Sequence, residues 1–267
     1  MNPLIAAILG VVEGLTEYLP VSSTGHLILV SRWLGLEGEG ADAFDVVIQL
    51  GAILAVLVHY RSLLWERATG LTSGKKESVA LLVALALGFL PTAVLGVLLR
   101  KKIKALLFGP APVAIALIVG GIVMIAIEFV RKKRGHEGDL GLEHVTPKRA
   151  FLIGLGQCIS MWPGSSRSMC TIMAGQLTGL STATAAEFSF LLGLPTLGAA
   201  TLYEMLKSRE ALAGLGGANL VVGLAVSFLV AWAVIAAFIA YLKRFGLSPF
   251  GFYRIAVGAL VFWTLVR

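Results

Sequence analysis

Long apolar runs separated by brief polar breaks organise the chain. Val46–Val58, Val79–Leu99, Val113–Phe129, Phe188–Leu202 and Leu220–Leu242 carry almost no charge. Several approach the ~20 residues that a helix needs to cross the hydrocarbon core of a bilayer. Two breaks of another kind interrupt shorter apolar stretches: Pro20-Val21-Ser22-Ser23 and Pro163-Gly164-Ser165-Ser166. Each is flanked by helical pieces too short to span, about 2–19 and 23–36, then about 147–161 and 165–180. Such pairs read as re-entrant hairpins, since non-helical backbone at membrane depth is tolerated where it lines a cavity. Three full spans follow each pair: about 43–60, 78–99 and 112–131, then about 186–205, 219–242 and 249–266.

The pattern is therefore duplicated. The two Pro-x-Ser-Ser breaks lie 143 residues apart, and the same offset places Tyr60 on Tyr203. Ile118-Val119-Gly120-Gly121-Ile122 resembles Ala256-Val257-Gly258-Ala259-Leu260 at a slightly smaller offset. The expectation is an all-α polytopic membrane protein, one integral membrane domain over 1–267. Repeat one covers about 1–131 and repeat two about 147–267. Each half is a re-entrant helical hairpin plus three transmembrane helices. Three is odd, so the second copy is expected upside down relative to the first, an inverted-topology repeat of the kind found in transport folds. The two hairpins would then enter from opposite faces and meet near the midplane. Gly96, Gly120, Gly121 and Gly258 are expected to let helices pack closely.

Composition agrees with the pattern. The 267 residues are 57% hydrophobic and only 14% charged, against about 25% charged in a soluble domain. The net charge of +7 does not point to nucleic acid, because the cations gather at the ends of apolar runs. Arg100-Lys101-Lys102, Arg131-Lys132-Lys133-Arg134 and Lys243-Arg244 read as anchors near anionic headgroups. The larger share of basic residues falls on the side holding 61–76, the 131–134 cluster, 148–149 and 243–244. That side is provisionally cytoplasmic, which leaves both termini extracytoplasmic; Arg100–Lys104 and Arg267 weigh on the other side. The first apolar segment carries two Glu and lacks a basic start, unlike a cleaved signal peptide. Cys158 and Cys170 have no Cys or His at metal spacing and read as small core residues.

The chemistry is concentrated in Glu13-Gly14-Leu15-Thr16-Glu17-Tyr18-Leu19-Pro20-Val21-Ser22-Ser23-Thr24-Gly25-His26. Ionisable groups in a membrane segment are costly and generally face a cavity or a partner. Glu13 and Glu17 are four apart, so a helix puts them on one face. Two close carboxylates suit a general acid/base or a Mg²⁺ or Ca²⁺ site; a pair facing water at a helix end is the bland alternative. Pro20 should end one helix and Ser22 or Ser23 cap the next, and the same geometry is expected at Pro163 and Ser165. Two such N-termini would cradle an anion. His26, three residues after Ser23, could be base, leaving-group acid or nucleophile, or a satisfied structural histidine. Arg167 fits a phosphate bidentately, and could also pair with Glu13 or Glu17. Gln49, Glu128, Gln157, Gln176, Glu187 and Arg254, in or beside apolar runs, are candidates for supporting roles, with interhelical hydrogen bonding expected of the glutamines.

Glu13-Gly-x-Thr-Glu17-x-Leu-Pro-Val-Ser-Ser-Thr-Gly-His26, followed by Pro163-Gly-x-Ser-Arg167-Ser-x-x-Thr171, closely resembles the bacterial undecaprenyl-diphosphate phosphatases, the bacitracin-resistance proteins of the cell envelope. The resemblance covers essentially the whole chain. It implies removal of the terminal phosphate from a C55 polyprenyl diphosphate, which recycles the lipid carrier of cell-wall synthesis in the bacterial inner membrane. It also implies a divalent cation and a bundle with inverted repeats and re-entrant helices. By position, the family's acidic residues fall on Glu13 and Glu17, its serines on Ser22 and Ser23, its histidine on His26 and its arginine on Arg167. The expected catalytic set is Ser23, His26, Glu17, Glu13 and Arg167. Ser23 is the first choice of nucleophile, with His26 relaying protons and either His26 or water as alternatives. Ser22, Thr24, Gly164, Ser165, Ser166, Ser168 and Thr171 are the expected substrate contacts, and Glu13 and Glu17 the candidate ligands of the cation. The partners expected are the polyprenyl diphosphate and the bilayer, with a homodimer left open. The rival class is a transporter or flippase of a lipid phosphate or small anion, which would use the same midplane site.

Overall fold

The computed structural model describes residues 2–266 apart from 37, 108, 136 and 137; the side chains of Glu39, Asp42, Arg100, Lys101, Lys104, Ala211 and Ala213 also lie outside the description. The Arg100–Lys104 cluster and Arg267, used above for orientation, therefore fall partly or wholly outside the described residues. Regular structure among the described residues is helical, with a single isolated bridge between Asp139 and Leu180.

The first short pair is α1 (Pro3–Thr16) and α2 (Ser23–Trp33). α3 (Glu39–His59) turns by 71° at Tyr60 into α4 (Arg61–Thr72), and α5 (Lys76–Leu107) and α6 (Pro110–Lys133) follow. The second short pair is α7 (Pro147–Gln157), extended by a 3₁₀ turn over Cys158–Met161, and α8 (Arg167–Leu177). α9 (Thr182–Lys207), α10 (Arg209–Ala213), α11 (Gly217–Leu242) and α12 (Ser248–Val261) complete the chain, with Phe262–Val266 continuing the last helix. Among the described residues, five helices are long and apolar enough to cross a bilayer, and six if the bent pair α3–α4 is one span. This is an all-α polytopic membrane protein. Side chains such as Val97, Leu98 and Leu4 stand exposed on its outer face, where lipid rather than water would cover them.

Local sequence dictates where the short helices begin. Asn2 and Thr146 each cap a helix whose first residue is proline, accepting from the N–H of Ile5 at 2.9 Å and of Arg149 at 3.3 Å. Proline at that position loses nothing, because its missing N–H would have had no intrahelical partner. Ser22 caps α2 and Ser166 caps α8, each accepting from the N–H three residues on. Both are at positive φ, 75° and 72°. A non-glycine residue there carries about 1–3 kcal/mol of backbone strain, and such residues cluster at functional sites. These matched positions are 144 residues apart (2 and 146, 22 and 166). The offset of 143 that pairs the two prolines is thus one residue out at the caps: Ser166, not Ser165, does for α8 what Ser22 does for α2. The two tips also differ in backbone, since Gly164 is at φ 93° whereas Val21 is not among the positive-φ residues.

Small residues then set the packing. A Cβ on Gly10 or Gly14 of α1 would come within 2.6 Å of the Gly223 carbonyl and 2.7 Å of the Ser227 carbonyl on α11. A Cβ on Gly154 of α7 would come within 2.4 Å of the Gly88 carbonyl on α5. Each short first helix is therefore seated backbone to backbone on a long helix of the other half. α6 and α12 meet in the same way at Gly121, Gly251 and Gly258. Gly120 instead makes room for the Arg254 guanidinium, and Gly96 lies in looser surroundings, with only the Met161 sulfur 4.0 Å from where its Cβ would be.

Candidate active site

The tips of the two short pairs meet beside α3, α5 and α9 around a cavity of about 210 Å³. Glu17, just past the end of α1, is the hub. Its Oε2 accepts from the Ser23 hydroxyl at 2.6 Å, and its Oε1 accepts from Arg167 Nη2 at 3.0 Å. The carboxylate and the guanidinium are both buried, so this ion pair is shielded from water. Arg167 opens α8 and is held from three sides. Its other terminal nitrogen donates to the Ser189 carbonyl at 2.8 Å and to the Ser189 hydroxyl at 3.2 Å, and its guanidinium sits 5.7 Å from the Tyr18 ring centre. Gly193 leaves the space for it: a Cβ there would lie 3.1 Å from both terminal nitrogens.

Of the residues expected from sequence, Glu17, Ser22, Ser23, Thr24, Gly164, Ser166 and Arg167 line the cavity. Ser168 and Thr171 stand behind it. Ser168 donates to the Leu19 carbonyl at 2.9 Å and lies 3.0 Å from the Ser166 hydroxyl, while Thr171 meets Ser189 at 2.6 Å. Ser165 is buried without facing the cavity; its N–H closes the tip turn on the Trp162 carbonyl at 3.0 Å. Glu13 is fully buried behind Glu17, and neither of its oxygens finds a hydrogen-bond partner among the described residues.

His26 does not reach Ser23. Its Nδ1 lies 2.8 Å from the Ser22 carbonyl and its Nε2 2.8 Å from the Tyr253 hydroxyl, with the two rings parallel. Both nitrogens are thus engaged away from the cavity, and the hydrogen-bond partner of the Ser23 hydroxyl is Glu17. The expected Ser23–His26 pairing gives way for a geometric reason. Ser22 is the cap, so the imidazole one helical turn later folds back on the Ser22 carbonyl.

The opposite wall is neutral and polar: Gln49 of α3, Thr92 of α5, Ser160, and Thr196 of α9. Gln157, fully buried, donates to Thr92 at 2.9 Å and accepts from Thr196 at 3.4 Å. Thr92 and Thr196 each follow a proline inside a helix, Pro91 and Pro195. A Pro-Thr pair within an apolar span was the available signal for this wall. A wider groove of about 530 Å³, between the far ends of α6 and α8, has no carboxylate or hydroxyl side chain among the described residues that line it. The carboxylate, hydroxyl and guanidinium groups gather in the smaller cavity.

The family model described as bacitracin resistance protein BacA matches residues 6–260. This chain belongs to the BacA family. An undecaprenyl-diphosphatase of Sorangium cellulosum (strain So ce56) is 59% identical over 260 residues, 97% of this chain and 85% of that protein. An undecaprenyl-diphosphatase of Sphingopyxis alaskensis is 49% identical over 251 residues, 94% of this chain and 93% of its own. One from Thermoanaerobacter pseudethanolicus is 47% identical over 262 residues, with 98% and 96% covered.

A divalent cation has to be judged on the donors present. No group of three or more His, Cys, Asp or Glu side chains converges among the described residues. Among the described residues, Glu17 is the only carboxylate on the cavity wall, and its oxygens already serve Ser23 and Arg167. That set does not make a cage of protein ligands. It does fit a hard cation that takes one or two carboxylates and completes its shell with phosphate oxygens and water. Glu13, with two unpartnered oxygens directly behind, is the second carboxylate such a cation could draw on.

Proposed function

We propose that this protein is an integral membrane phosphatase that hydrolyses undecaprenyl diphosphate to undecaprenyl phosphate and inorganic phosphate, returning the lipid carrier to cell-wall synthesis. The observation that carries this reading is the Glu17 carboxylate, bound at once to a serine hydroxyl and an arginine at the meeting point of two helix N-termini. The diphosphate enters with its terminal phosphate against Arg167 and the free N–H groups of α2 and α8, which favour an anion there. The polyprenyl tail leaves past the apolar part of the rim, Met161, Leu197 and Ala200. Ser23 Oγ attacks the terminal phosphorus as Glu17 takes its proton. The bond to the bridging oxygen breaks, and undecaprenyl phosphate departs with that oxygen and the electron pair. Glu17 passes that proton to the departing phosphate, then as a carboxylate takes a proton from water, whose oxygen attacks the phosphoserine; inorganic phosphate leaves and the proton returns to the Ser23 oxygen. Arg167 and the oriented N–H groups meet the charge on the transferring phosphoryl group. A Mg²⁺ or Ca²⁺ ion at Glu17 supplies further neutralisation of the diphosphate when bound. His26 fixes the Ser22 cap, and so the aim of the first turn of α2.

The test is phosphate release from a polyprenyl diphosphate in detergent micelles with Mg²⁺ or Ca²⁺. Micelles have no second compartment, so a transporter releases nothing there, whereas a phosphatase turns over. No phosphate under these conditions would reject the hydrolytic reading.

We further propose that the halves are inverted copies and that both termini are extracytoplasmic. Support comes from which ends lie together. The second short pair returns to the end of α6, where Arg131 donates to the Gln176 and Leu180 carbonyls and Asp139 bridges Leu180. At the end of the first pair, Leu34 and Leu36 pack against the same buried cluster (Ala6, Leu9, Leu27, Phe44 and Ile48) as Leu215 and Leu220 at the start of α11. With Cys158 and Cys170 replaced, a cysteine at Gly35 should react with an impermeant maleimide from outside the cell. One at Gly135 should react only after permeabilisation. Labelling of both from one side would sink the inverted arrangement.

A further inference from the structure

Arg254 of α12 is fully buried, yet no step above uses it. Its Nη1 donates to the Pro20 carbonyl at 3.2 Å, and its Nη2 donates to the Gly164 carbonyl at 2.8 Å and the Ala116 carbonyl at 3.1 Å. Pro20 belongs to the tip of the first short pair, Gly164 to the tip of the second, and Ala116 to α6. One planar group thus reads a backbone oxygen from each tip and ties both to a long helix. The protein makes specific room for it, since a Cβ on Gly120 would come within 2.4 Å of Nη2. No carboxylate pairs with it among the described residues; its hydrogen-bond partners are these three carbonyls.

We propose that Arg254 is the positioning residue that locks the two tips in register, so that Ser23, carried by the first, and Arg167, carried by the second, face one phosphate. The tips come from halves about 144 residues apart, and each carries a serine cap at positive φ. Each strained turn lends one carbonyl to the same guanidinium. A misplacement of about 1 Å between nucleophile and phosphate binder can cost on the order of 100-fold in rate. The fixed fork of Arg254 is suited to prevent that, and an ammonium, a single point donor, is not. The role is indirect, because Arg254 does not itself line the cavity and reaches its wall only through the backbone carbonyl of Gly164. It therefore predicts a loss in kcat with KM nearly kept.

This inference rests on the phosphatase reading, and one assay separates the two. The purified full chain is assayed in micelles with a polyprenyl diphosphate, as wild type, Arg254→Lys, Arg254→Met and Gly120→Ala. Each is checked for a monodisperse profile and thermal midpoint. Expected is a kcat lower by about 100-fold for Arg254→Met and about tenfold for Arg254→Lys, with KM within threefold of wild type. Gly120→Ala leaves Arg254 in the sequence but pushes its guanidinium aside, and should lower kcat about tenfold with the same KM. If Arg254→Met does not fold, Gly120→Ala alone decides. A wild-type kcat in folded Arg254→Met or in Gly120→Ala, or a loss wholly in KM, overturns the positioning role. An inactive wild type would instead overturn the phosphatase reading.

Discussion

Glu17→Gln is expected to lower kcat by about a thousandfold, the middle to upper part of the range for losing a general base. The amide keeps the shape of the side chain and one oxygen for Arg167 Nη2, 3.0 Å away in the parent. It cannot take a proton from Ser23, whose hydroxyl is 2.6 Å from Oε2. Breaking a buried ion pair outright costs about 3–5 kcal/mol of stability, because the surviving charge is left without its partner. Here Arg167 retains the amide oxygen together with the Ser189 carbonyl and hydroxyl, so the folding cost should fall well below that. The signature is thus a large loss of kcat in a protein that still purifies as a single species. A KM little changed would place the loss in the transition state, the result expected if Glu17 acts on the proton rather than on substrate binding. Substantial turnover by Glu17→Gln would remove it as the base. An unfolded protein would reassign it to stability, to be checked by the thermal midpoint of the same preparation.

Much of this arrangement is legible in the sequence, for reasons that differ by residue. The spans are legible because lipid demands long apolar helices. Among the described residues five pass on length and composition, and α3 passes together with α4, into which it turns at a break too local for hydropathy to reveal. The short pairs are legible because a proline and serines interrupt apolar chain where no surface loop is due. Glu17, Ser23 and Arg167 are legible because ionisable and hydroxyl groups are costly in that setting. Finer geometry is not. That Ser22 and Ser166 are the caps depends on two backbone turns at positive φ, which serines do not advertise. The direction of His26 depends on Tyr253, 227 residues later. Arg254 reads in sequence as one more polar residue at the edge of a span, and only packing shows that it gathers carbonyls from both tips. Gly193 has no sequence signal at all; its role follows from the space Arg167 needs.

Ser23→Ala is expected to bring turnover to background while substrate affinity stays within about threefold, because the interaction lost is made only in the transition state. The case rests on what surrounds the hydroxyl. It opens α2, where N–H groups stabilise an alkoxide or its phosphorylated product, and it donates to a carboxylate at 2.6 Å. Ser22 has a different environment: its oxygen accepts from the Gly25 N–H at 3.4 Å, as a cap does. Ser22→Ala should therefore cost about 1 kcal/mol of stability and leave a measurable rate. His26 offers the clearest contrast. With one nitrogen on the Ser22 carbonyl and the other on Tyr253, it has no lone pair turned to the cavity. Acid quenching of the working enzyme with a phosphate-labelled substrate should thus capture label on Ser23. Label captured on His26 and never on Ser23 would make the histidine the nucleophile and require its ring to leave Tyr253 during turnover. Substantial turnover by Ser23→Ala with no captured label would assign the attack to water, with Glu17 as its base and Ser23 as a binding group beside it.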